Sequence, residues 1–266
     1  SIMAVAQKGA ITFGLVYIPV DLYAAVQDNN IRFNQLDRDS HRRVRYKKVV
    51  EGEDRELAQK DIIKGYEYEK GKYVVVTDEE MEAIKTEKDR SIQILQFTDQ
   101  CSIPPIYYDR PYYVVGQKGG EKAYEVLCRA MKESGKVAIG KTVMGQSETM
   151  LTLIPSDHGL LLVTMFYYDE VREVPRETAR PAIGKPEMDM ALKLIQSMDQ
   201  PYEPEKYQDE FQQRLRDLIA RKIEGQEVAA PKKSREGHIT DLMEALSASL
   251  EQQTGAKKTR ARKKAG

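Results

Sequence analysis

Metal-binding and disulfide-forming residues are scarce in this sequence, which has two cysteines and three histidines among 266 residues. Cys101 and Cys128 are 27 residues apart, and neither belongs to a Cys-x-x-Cys pair or has a histidine at ligand spacing. Structural zinc sites need such closely spaced ligands. The sequence therefore excludes a zinc finger, predicts two free, buried thiols, and gives no reason to expect a metal or another cofactor.

Long apolar runs are also absent, since stretches such as Leu160 to Val163 fall far short of the roughly 20 residues that a membrane-spanning helix needs. The apolar stretch from Ile11 is interrupted by Gly14 and Pro19 and closed by Asp21, which is not the pattern of a signal peptide. These features predict a cytoplasmic protein with no membrane partner.

The charges are balanced at 42 basic and 42 acidic residues, but they are unevenly distributed. The segment from Pro231 to Gly266 has nine basic and four acidic residues. Its end is a basic run interrupted only by Thr and Ala, with Lys257, Lys258, Arg260, Arg262, Lys263 and Lys264. Because such a run cannot build a core, we expect residues 252–266 to be a disordered, polyanion-binding tail. A tail that only adds solubility is the alternative.

Short β-branched and aromatic segments dominate the first two thirds of the chain. The stretch from Ile11 to Tyr23, with Pro19 inside it, predicts an extended segment along a sheet edge. Further strand candidates are Tyr73 to Val76, Ile92 to Phe97, Tyr112 to Val115, Val137 to Val143, Thr149 to Ile154 and Leu160 to Tyr168. So many short strands indicate a barrel or a sandwich.

Helical periodicity marks a few early segments and the end of the chain. Thr77 and Glu80 form a capping box, which predicts a short helix there. A clearer helix is expected from Glu121 to Glu133, with Gly135 as its stop. Beyond Pro186, apolar stripes of period 3.6 predict helices to about residue 225.

A last helix follows a linker candidate, Glu227 to Gly237. Its narrow apolar stripe has the spacing i, i+3, i+4, i+7 and i+11 and consists of Ile239, Leu242, Met243, Leu246 and Leu250. An exposed stripe on a loosely tethered helix is typical of a partner-docking element. The alternative is that the helix folds back on its own core or pairs with its twin in a dimer.

A phosphate-binding loop is suggested by Gly135 to Thr142, which matches the pattern G-x-x-x-x-G-K-[ST]. Asp169 and Glu170 end an apolar run in the manner of a Walker B strand. A P-loop needs a strand before it and a helix after it, whereas here a helix precedes the motif and its interior reads as strand. A P-loop NTPase acting on nucleic acid is therefore only the alternative reading.

The segment Arg42-Arg43-Val44-Arg45-Tyr46-Lys47-Lys48 has five basic residues in seven, with an aromatic among them. If it is a strand, Arg43, Arg45 and Lys47 lie on one face about 6.6–6.8 Å apart, close to the rise of two phosphates along one DNA strand. Such a row suits a sugar-phosphate backbone and carries no base-reading geometry. An edge strand kept soluble by charge is the alternative.

Several characteristic runs follow one another between about residues 8 and 225: Lys8 to Val16 with Ile18-Pro19-Val20, Arg45 to Val49, Ile63 to Tyr68, Tyr73 to Glu79, Pro105 to Tyr113, Lys122 to Tyr124, Tyr168 to Arg172 and Tyr202 to Tyr207. In these runs and in their order the sequence closely resembles the bacterial Ku family. Two positions depart from it: Gln7 stands where members often have Trp, and Val50 to Asp54 lack a cysteine pair that some members carry. Metal binding is therefore not transferred to this chain.

The resemblance implies an α+β fold with a β-barrel and an extended arch. It further implies a non-enzymatic homodimeric ring that threads onto double-stranded DNA ends in the nucleoid and recruits a multifunctional ATP-dependent DNA ligase for non-homologous end joining. The expected division is a core at 1–228, with the arch at about 38–66 and helices at about 186–225, then a linker and docking helix at 229–251 and the tail at 252–266. Basic residues at the arch position are Arg42, Arg43, Arg45, Lys47, Lys48, Arg55, Lys60 and Lys64. A scaffold whose last helix is its only functional surface is a further alternative.

Overall fold

The computed structural model describes residues 3–85, 91–145, 147–175, 181–226 and 242–263, the last eleven of these as backbone only. The chain forms two units, Ser1–Glu173 and Val174–Gly266. Within the described ranges, no helix is long and apolar enough to span a membrane.

Seven strands of the first unit close into a barrel, and two more form a separate hairpin. The strands are β1 (Gln7–Phe13), β2 (Val16–Ala24), β3 (Lys64–Glu69), β4 (Lys72–Val76), β5 (Ile92–Asp99), β6 (Tyr108–Gly116), β7 (Lys136–Met144), β8 (Ser147–Ser156) and β9 (Gly159–Met165). The barrel order is β1-β2-β6-β9-β8-β7-β5. Neighbours are antiparallel except β1 and β5, which are parallel and close the barrel. The expected α+β fold with a barrel is confirmed, as is every predicted strand, although β9 ends at Met165 rather than Tyr168.

The prediction for Ile11 to Tyr23 was wrong in one respect, because this stretch is two strands and neither lies at a sheet edge. The chain turns at Gly14 (φ 56°), and β2 pairs with β1 on one side and β6 on the other. Pro19 is tolerated because of the side on which it lacks an N–H donor. Its carbonyl faces β6 and accepts from the amide of Gln117 (2.9 Å), and the N–H of a strand residue points to the same side as its carbonyl. The registered pairs between β2 and β6 begin only at Val20, so the missing N–H lies outside that ladder.

Period-two alternation gives the barrel its core. Along β8 and β9 the inward residues Leu151, Leu153, Leu160 and Leu162 are almost completely buried. They form one apolar cluster with Leu127 and Met131 of helix α2 (Glu121–Ser134). This helix ends at Gly135 (φ 66°), as the sequence predicts.

Tyr124 fixes α2 to two strands. Its hydroxyl donates to the carbonyl of Val114 in β6 (2.6 Å) and accepts from the amide of Leu160 in β9 (2.9 Å). Burial raises the pKa of Tyr124 to about 12. A Cβ at Gly159 would lie 2.6 Å from the Tyr124 hydroxyl oxygen, and φ there is +109°, so both space and backbone favour glycine.

The second unit contains three α-helices in its described parts: α3 (Lys185–Met198), α4 (Glu210–Ile223) and α5 (Leu242–Lys263). Helices α3 and α5 pack together, yet no described residue of this unit is fully buried. The stripe of α3 predicted to be apolar remains largely exposed, including Met188, Leu192, Ile195 and Met198.

The last described helix, α5, runs from Leu242 to Lys263. The boundary expected at residue 251 and the disordered tail expected at 252–266 stay predictions. Ala, Gln, Lys and Arg are strong helix formers even where they cannot build a core, and cations near a helix C-terminus interact favourably with its dipole. Such a segment favours a helical backbone even though its low apolar content cannot supply a core.

Candidate nucleic-acid interface

The arch segment, defined here as residues 25–85, leaves the barrel after β2 and returns before β5. From residue 26 to residue 85 no side chain is fully buried. The arch expected at about 38–66 lies within this segment and stays a prediction. Strands β3 and β4 also lie outside the barrel, as a hairpin with largely exposed residues. The short helix α1 (Asp78–Ala83) has the predicted Thr77 and Glu80 capping box.

Two tight hairpins shape the middle of the arch segment. The first is closed by a bridge between Leu36 and Arg43, and the carboxylate of Asp37 accepts from the amide and hydroxyl of Ser40 (2.8 and 2.6 Å). These bonds, with the hydroxyl as the larger cause, hold the pKa of Asp37 below its usual value. The second hairpin is closed by a bridge between Val49 and Glu56.

The basic run Arg42 to Lys48 starts inside the first hairpin, includes the bridge residue Arg43 and ends just before the second bridge. It is not a regular strand. Arg43, Arg45 and Lys47 therefore do not form the evenly spaced row that a strand would have given them. Isolated bridges replace a continuous ladder because the chain turns at both hairpins. The run is still exposed along its whole length, so its cations can reach a phosphate backbone without a regular spacing.

The arch cations fall into two groups. Arg42, Arg43, Arg45 and Lys60 form no ion pair with any residue that the structure describes. The others are engaged: Lys47 with Glu56 (2.7 Å), Lys48 with Gln59 (2.7 Å), Arg55 with Glu53 (3.1 Å) and Lys64 with Asp78 (2.6 Å). The hydrogen bond from Lys47 to Glu56 raises the pKa of that lysine. Exposed pairs of this kind contribute little to stability because water and salt screen them, so a phosphate can replace the carboxylate.

The arch segment has an excess of basic residues in its first part and an excess of acidic residues in its second part. Residues 32–48 have seven basic and two acidic residues, whereas residues 49–85 have six basic and eleven acidic residues. We call residues 32–48 the basic half and residues 49–85 the acidic half. Counting both signs along the sequence would have found this division, and it makes Arg55, Lys60 and Lys64 weaker candidates than the basic run.

The predicted docking stripe is only partly available on the described surface. Leu242 is 58% exposed, while Met243, Leu246 and Leu250 are half-buried on a helix that packs with α3. Ile239 lies outside the described residues. Lys257, Lys258, Arg260, Arg262 and Lys263 lie on the helical backbone of α5, and Lys264 lies outside the described residues.

The P-loop alternative is not supported, because its motif forms a strand of the barrel. Gly135 ends α2, and Lys136–Met144 is β7. Lys141 is bound by Glu148 (3.0 Å), and a strand rather than a helix follows it. A Cβ at Gly140 would meet the Gln93 carbonyl oxygen at 2.5 Å, so this glycine serves strand packing rather than a phosphate.

Neither cysteine belongs to a metal site in the described parts of the chain, where no group of three His, Cys, Asp or Glu residues could hold an ion. Both thiols are free, as predicted. The prediction that both are buried was wrong for Cys101, which is exposed in the short 3-10 turn Gln100–Ser102 after β5, while Cys128 is half-buried in α2.

Comparison with known proteins agrees with this architecture. The family model described as "Ku70/Ku80 beta-barrel domain" matches residues 12–190. Proteins named "Non-homologous end joining protein Ku" are similar over nearly the whole chain. The one from Lachnoclostridium phytofermentans is 48% identical over 96% of this chain and 99% of its own length. The one from Archaeoglobus fulgidus is 40% identical over 92% and 97%, and the one from Bacillus subtilis is 36% identical over 92% and 80%. The family model covers more than half of the chain, and the relatives match it over both units. Together with the closed seven-stranded barrel, these matches show that the chain belongs to the Ku family.

Proposed function

We propose that this protein binds the ends of double-stranded DNA without sequence preference, as a homodimeric ring, in non-homologous end joining. It has no catalytic role of its own in this proposal. The observation that carries it is the basic half of the arch segment, a run of exposed cations on a part of the chain that has no core. The names of the relatives supply the repair pathway.

The chemistry of the basic half favours phosphates over bases. Arg42, Arg43 and Arg45 are exposed and unpaired among the described residues, and guanidinium groups bind phosphate oxygens bidentately. The irregular backbone of the run offers no regular helix or strand to fit into a groove. Binding of this kind positions a protein on the duplex and carries no sequence information.

Apolar side chains that are exposed in the single chain support the homodimer. The β3–β4 hairpin exposes Tyr66, Tyr68 and Tyr73, and an isolated two-stranded hairpin is marginally stable in water. Helix α3 also leaves its apolar stripe uncovered. A second copy can cover such surfaces, and a closed two-fold assembly is the commonest arrangement of identical chains. Two arch segments would then close the ring around the duplex.

Ligase recruitment is assigned to the start of α5. Leu242 is exposed at the beginning of the helix, and Met243, Leu246 and Leu250 follow it at the spacing used in helix-in-groove recognition. We expect a multifunctional ATP-dependent DNA ligase to be the partner. Leu242→Asp with Leu246→Asp should abolish stimulation of the ligase while end binding survives. If the double variant instead becomes monomeric or unfolds, α5 belongs to the dimer or to its own unit.

The basic residues of the tail, Lys257 to Lys264, add a sequence-independent electrostatic term. Removing residues 256–266 should weaken DNA binding at low salt without lowering the melting temperature. Unchanged affinity would mean that the tail only adds solubility.

End dependence tests the proposed function directly. A gel-shift titration should compare a linear duplex with a covalently closed circle of the same sequence. We expect binding to the linear form alone, because a ring can load only where the duplex stops. Equal affinity for both forms would contradict the proposal.

A further inference from the structure

Strand β6 is interrupted by a bulge next to the base of the arch segment. Tyr108 pairs with Met165 and Pro111 pairs with Val163, so the register shifts by one residue and leaves Asp109 and Arg110 opposite Thr164. A bulge bends the strand and changes the direction of its side chains, and such features are common beside functional sites.

A buried hydroxyl holds the bulge in place. Thr164 of β9 is 5% exposed. Its side-chain oxygen accepts a hydrogen bond from the backbone amide of Arg110 (3.0 Å) and donates to the carboxylate of Asp109 (3.1 Å). Because Thr164 is itself fixed in the barrel wall, the backbone of Arg110 has a defined position.

Both ends of the arch segment lie at this end of the barrel. Ala24, the last residue of β2, pairs with Tyr112, and the amide of Ala25 donates to the carbonyl of Pro111 (3.2 Å). At the other end of the segment, Lys85 donates to the carbonyl of Gly145 (2.7 Å), in the turn between β7 and β8. Arg110 therefore lies where the chain leaves the barrel for the basic half.

Arg110 is also a cation available for a ligand. It is exposed and forms no ion pair with any described residue. Four cations on the barrel strands and α2 are instead paired with carboxylates: Arg129 with Glu125, Lys132 with Asp157, Lys136 with Asp99 and Lys141 with Glu148. The neighbouring carboxylate, Asp109, is turned to Thr164 instead.

We infer that Arg110 is a phosphate-binding residue of the barrel, at the base of the arch segment, and that Thr164 is its positioning residue. This inference rests on the proposed binding of DNA ends. The guanidinium group takes a backbone phosphate of the duplex that the arch encloses. Asp109 opposes this attraction in part, because its charge lies beside the phosphate.

The test is a fluorescence titration of the full chain with a short blunt-ended duplex at several salt concentrations. Arg110→Gln should weaken binding about tenfold at low salt for each copy of the chain, the usual size for one lost charged hydrogen bond. A ring of two copies loses two phosphate contacts, so the slope of log K against log salt should fall in magnitude by about 1.8. Asp109→Asn should act in the opposite direction and strengthen binding.

Arg129→Gln is the matched control, since Arg129 lies on α2, which joins the strands at the barrel end away from the arch segment. Its affinity and salt slope should equal those of the wild type. Thr164→Val should weaken binding, but added to Arg110→Gln it should cause no further loss, because it acts through Arg110. A full additional loss in the double variant would show that Thr164 has only a structural role. If Thr164→Val does not fold, Arg110→Gln and Asp109→Asn still decide the inference.

Two failures can be told apart. If the wild type binds linear duplex and Arg110→Gln binds with the same affinity and slope, the assignment of Arg110 is wrong while the proposed function stands. If the wild type does not bind linear duplex at all, both are wrong.

Discussion

The barrel and the arch segment belong to the same unit but are stabilised in opposite ways. In the barrel, Leu153 and Leu162 are fully buried and each strand is paired on both sides. In the arch segment, no side chain from residue 26 to 85 is fully buried. Its first two hairpins are closed by single bridges and turn hydrogen bonds, and its β3–β4 ladder pairs on one side only. The barrel is thus stabilised by its own core and strand pairing, whereas the side chains of the arch segment remain exposed and can contact another molecule.

The first prediction concerns the barrel core, where the largest effect on stability is expected. Leu162→Ala should lower the free energy of unfolding by about 2–5 kcal/mol, since it leaves a cavity in a closed core. Leu15→Ala is the control, because Leu15 is fully exposed at the β1–β2 turn and should change stability by less than about 0.5 kcal/mol. Urea unfolding measures both. Equal losses would contradict the contrast between core and surface.

The second prediction concerns the basic half of the arch segment. Arg43→Glu, Arg45→Glu and Lys47→Glu together should reduce affinity for a linear duplex by about 100-fold at low salt and lower the salt slope by about 2.7 per copy, if each cation contacts one phosphate. The melting temperature should stay the same because none of the three side chains is buried.

The control for that variant lies in the acidic half. Lys70→Glu with Lys72→Glu changes exposed cations on the β3–β4 hairpin and should cost much less affinity per charge. A similar loss per charge in both variants would mean that overall charge, rather than the basic half, governs binding.

The third prediction returns to the barrel and its helix. Tyr124→Phe removes a hydroxyl that bonds to both β6 and β9, which should lower the free energy of unfolding by about 1–3 kcal/mol because buried partners are left unsatisfied. Tyr17→Phe is the control, since Tyr17 is exposed. Chemical denaturation separates the two, and equal stability of both variants would show that the Tyr124 bonds contribute nothing.

Buried strands of the barrel could be predicted from the sequence more readily than exposed strands of the arch segment. Val137 to Val143 and Thr149 to Ile154 were found as strands because buried strands are rich in β-branched residues. The β3 strand, Lys64–Glu69, has every residue exposed. Its two tyrosines alternate with glutamates, but it contains no aliphatic residue, and it was not predicted as a strand. Pro19 suggested a sheet edge, and only the register of β2 against β6 shows why a proline fits there.

The candidate site divides similarly. The basic run was recognisable because five cations in seven residues are conspicuous in any conformation. Arg110 was not, since it is a single cation whose importance comes from a bulge and from Thr164, 54 residues away. Pairing between distant strands decides that position, and composition does not report it.

The fourth prediction is the smallest and concerns the first hairpin of the arch segment. The pKa of Asp37 in the folded protein lies below its usual value of about 3.9. The charged carboxylate therefore stabilises the hairpin fully at pH values above about 3.9. This stabilisation is lost as the pH falls through the folded pKa. An NMR titration should show the Ser40 amide signal moving with a midpoint below about 3.9, and Asp37→Asn should remove this transition. A midpoint above that value would contradict the hydrogen bonds to Ser40.

The central claim is that two arch segments close a ring around the duplex, and its most direct test is release from DNA with blocked ends. The protein is loaded onto a linear duplex with biotin at both ends, streptavidin is added, and dissociation is followed after a jump to high salt. A closed ring should stay on the blocked duplex and leave the unblocked one quickly, since high salt removes the phosphate contacts but not the topological link. Equally fast release from both duplexes would contradict the ring.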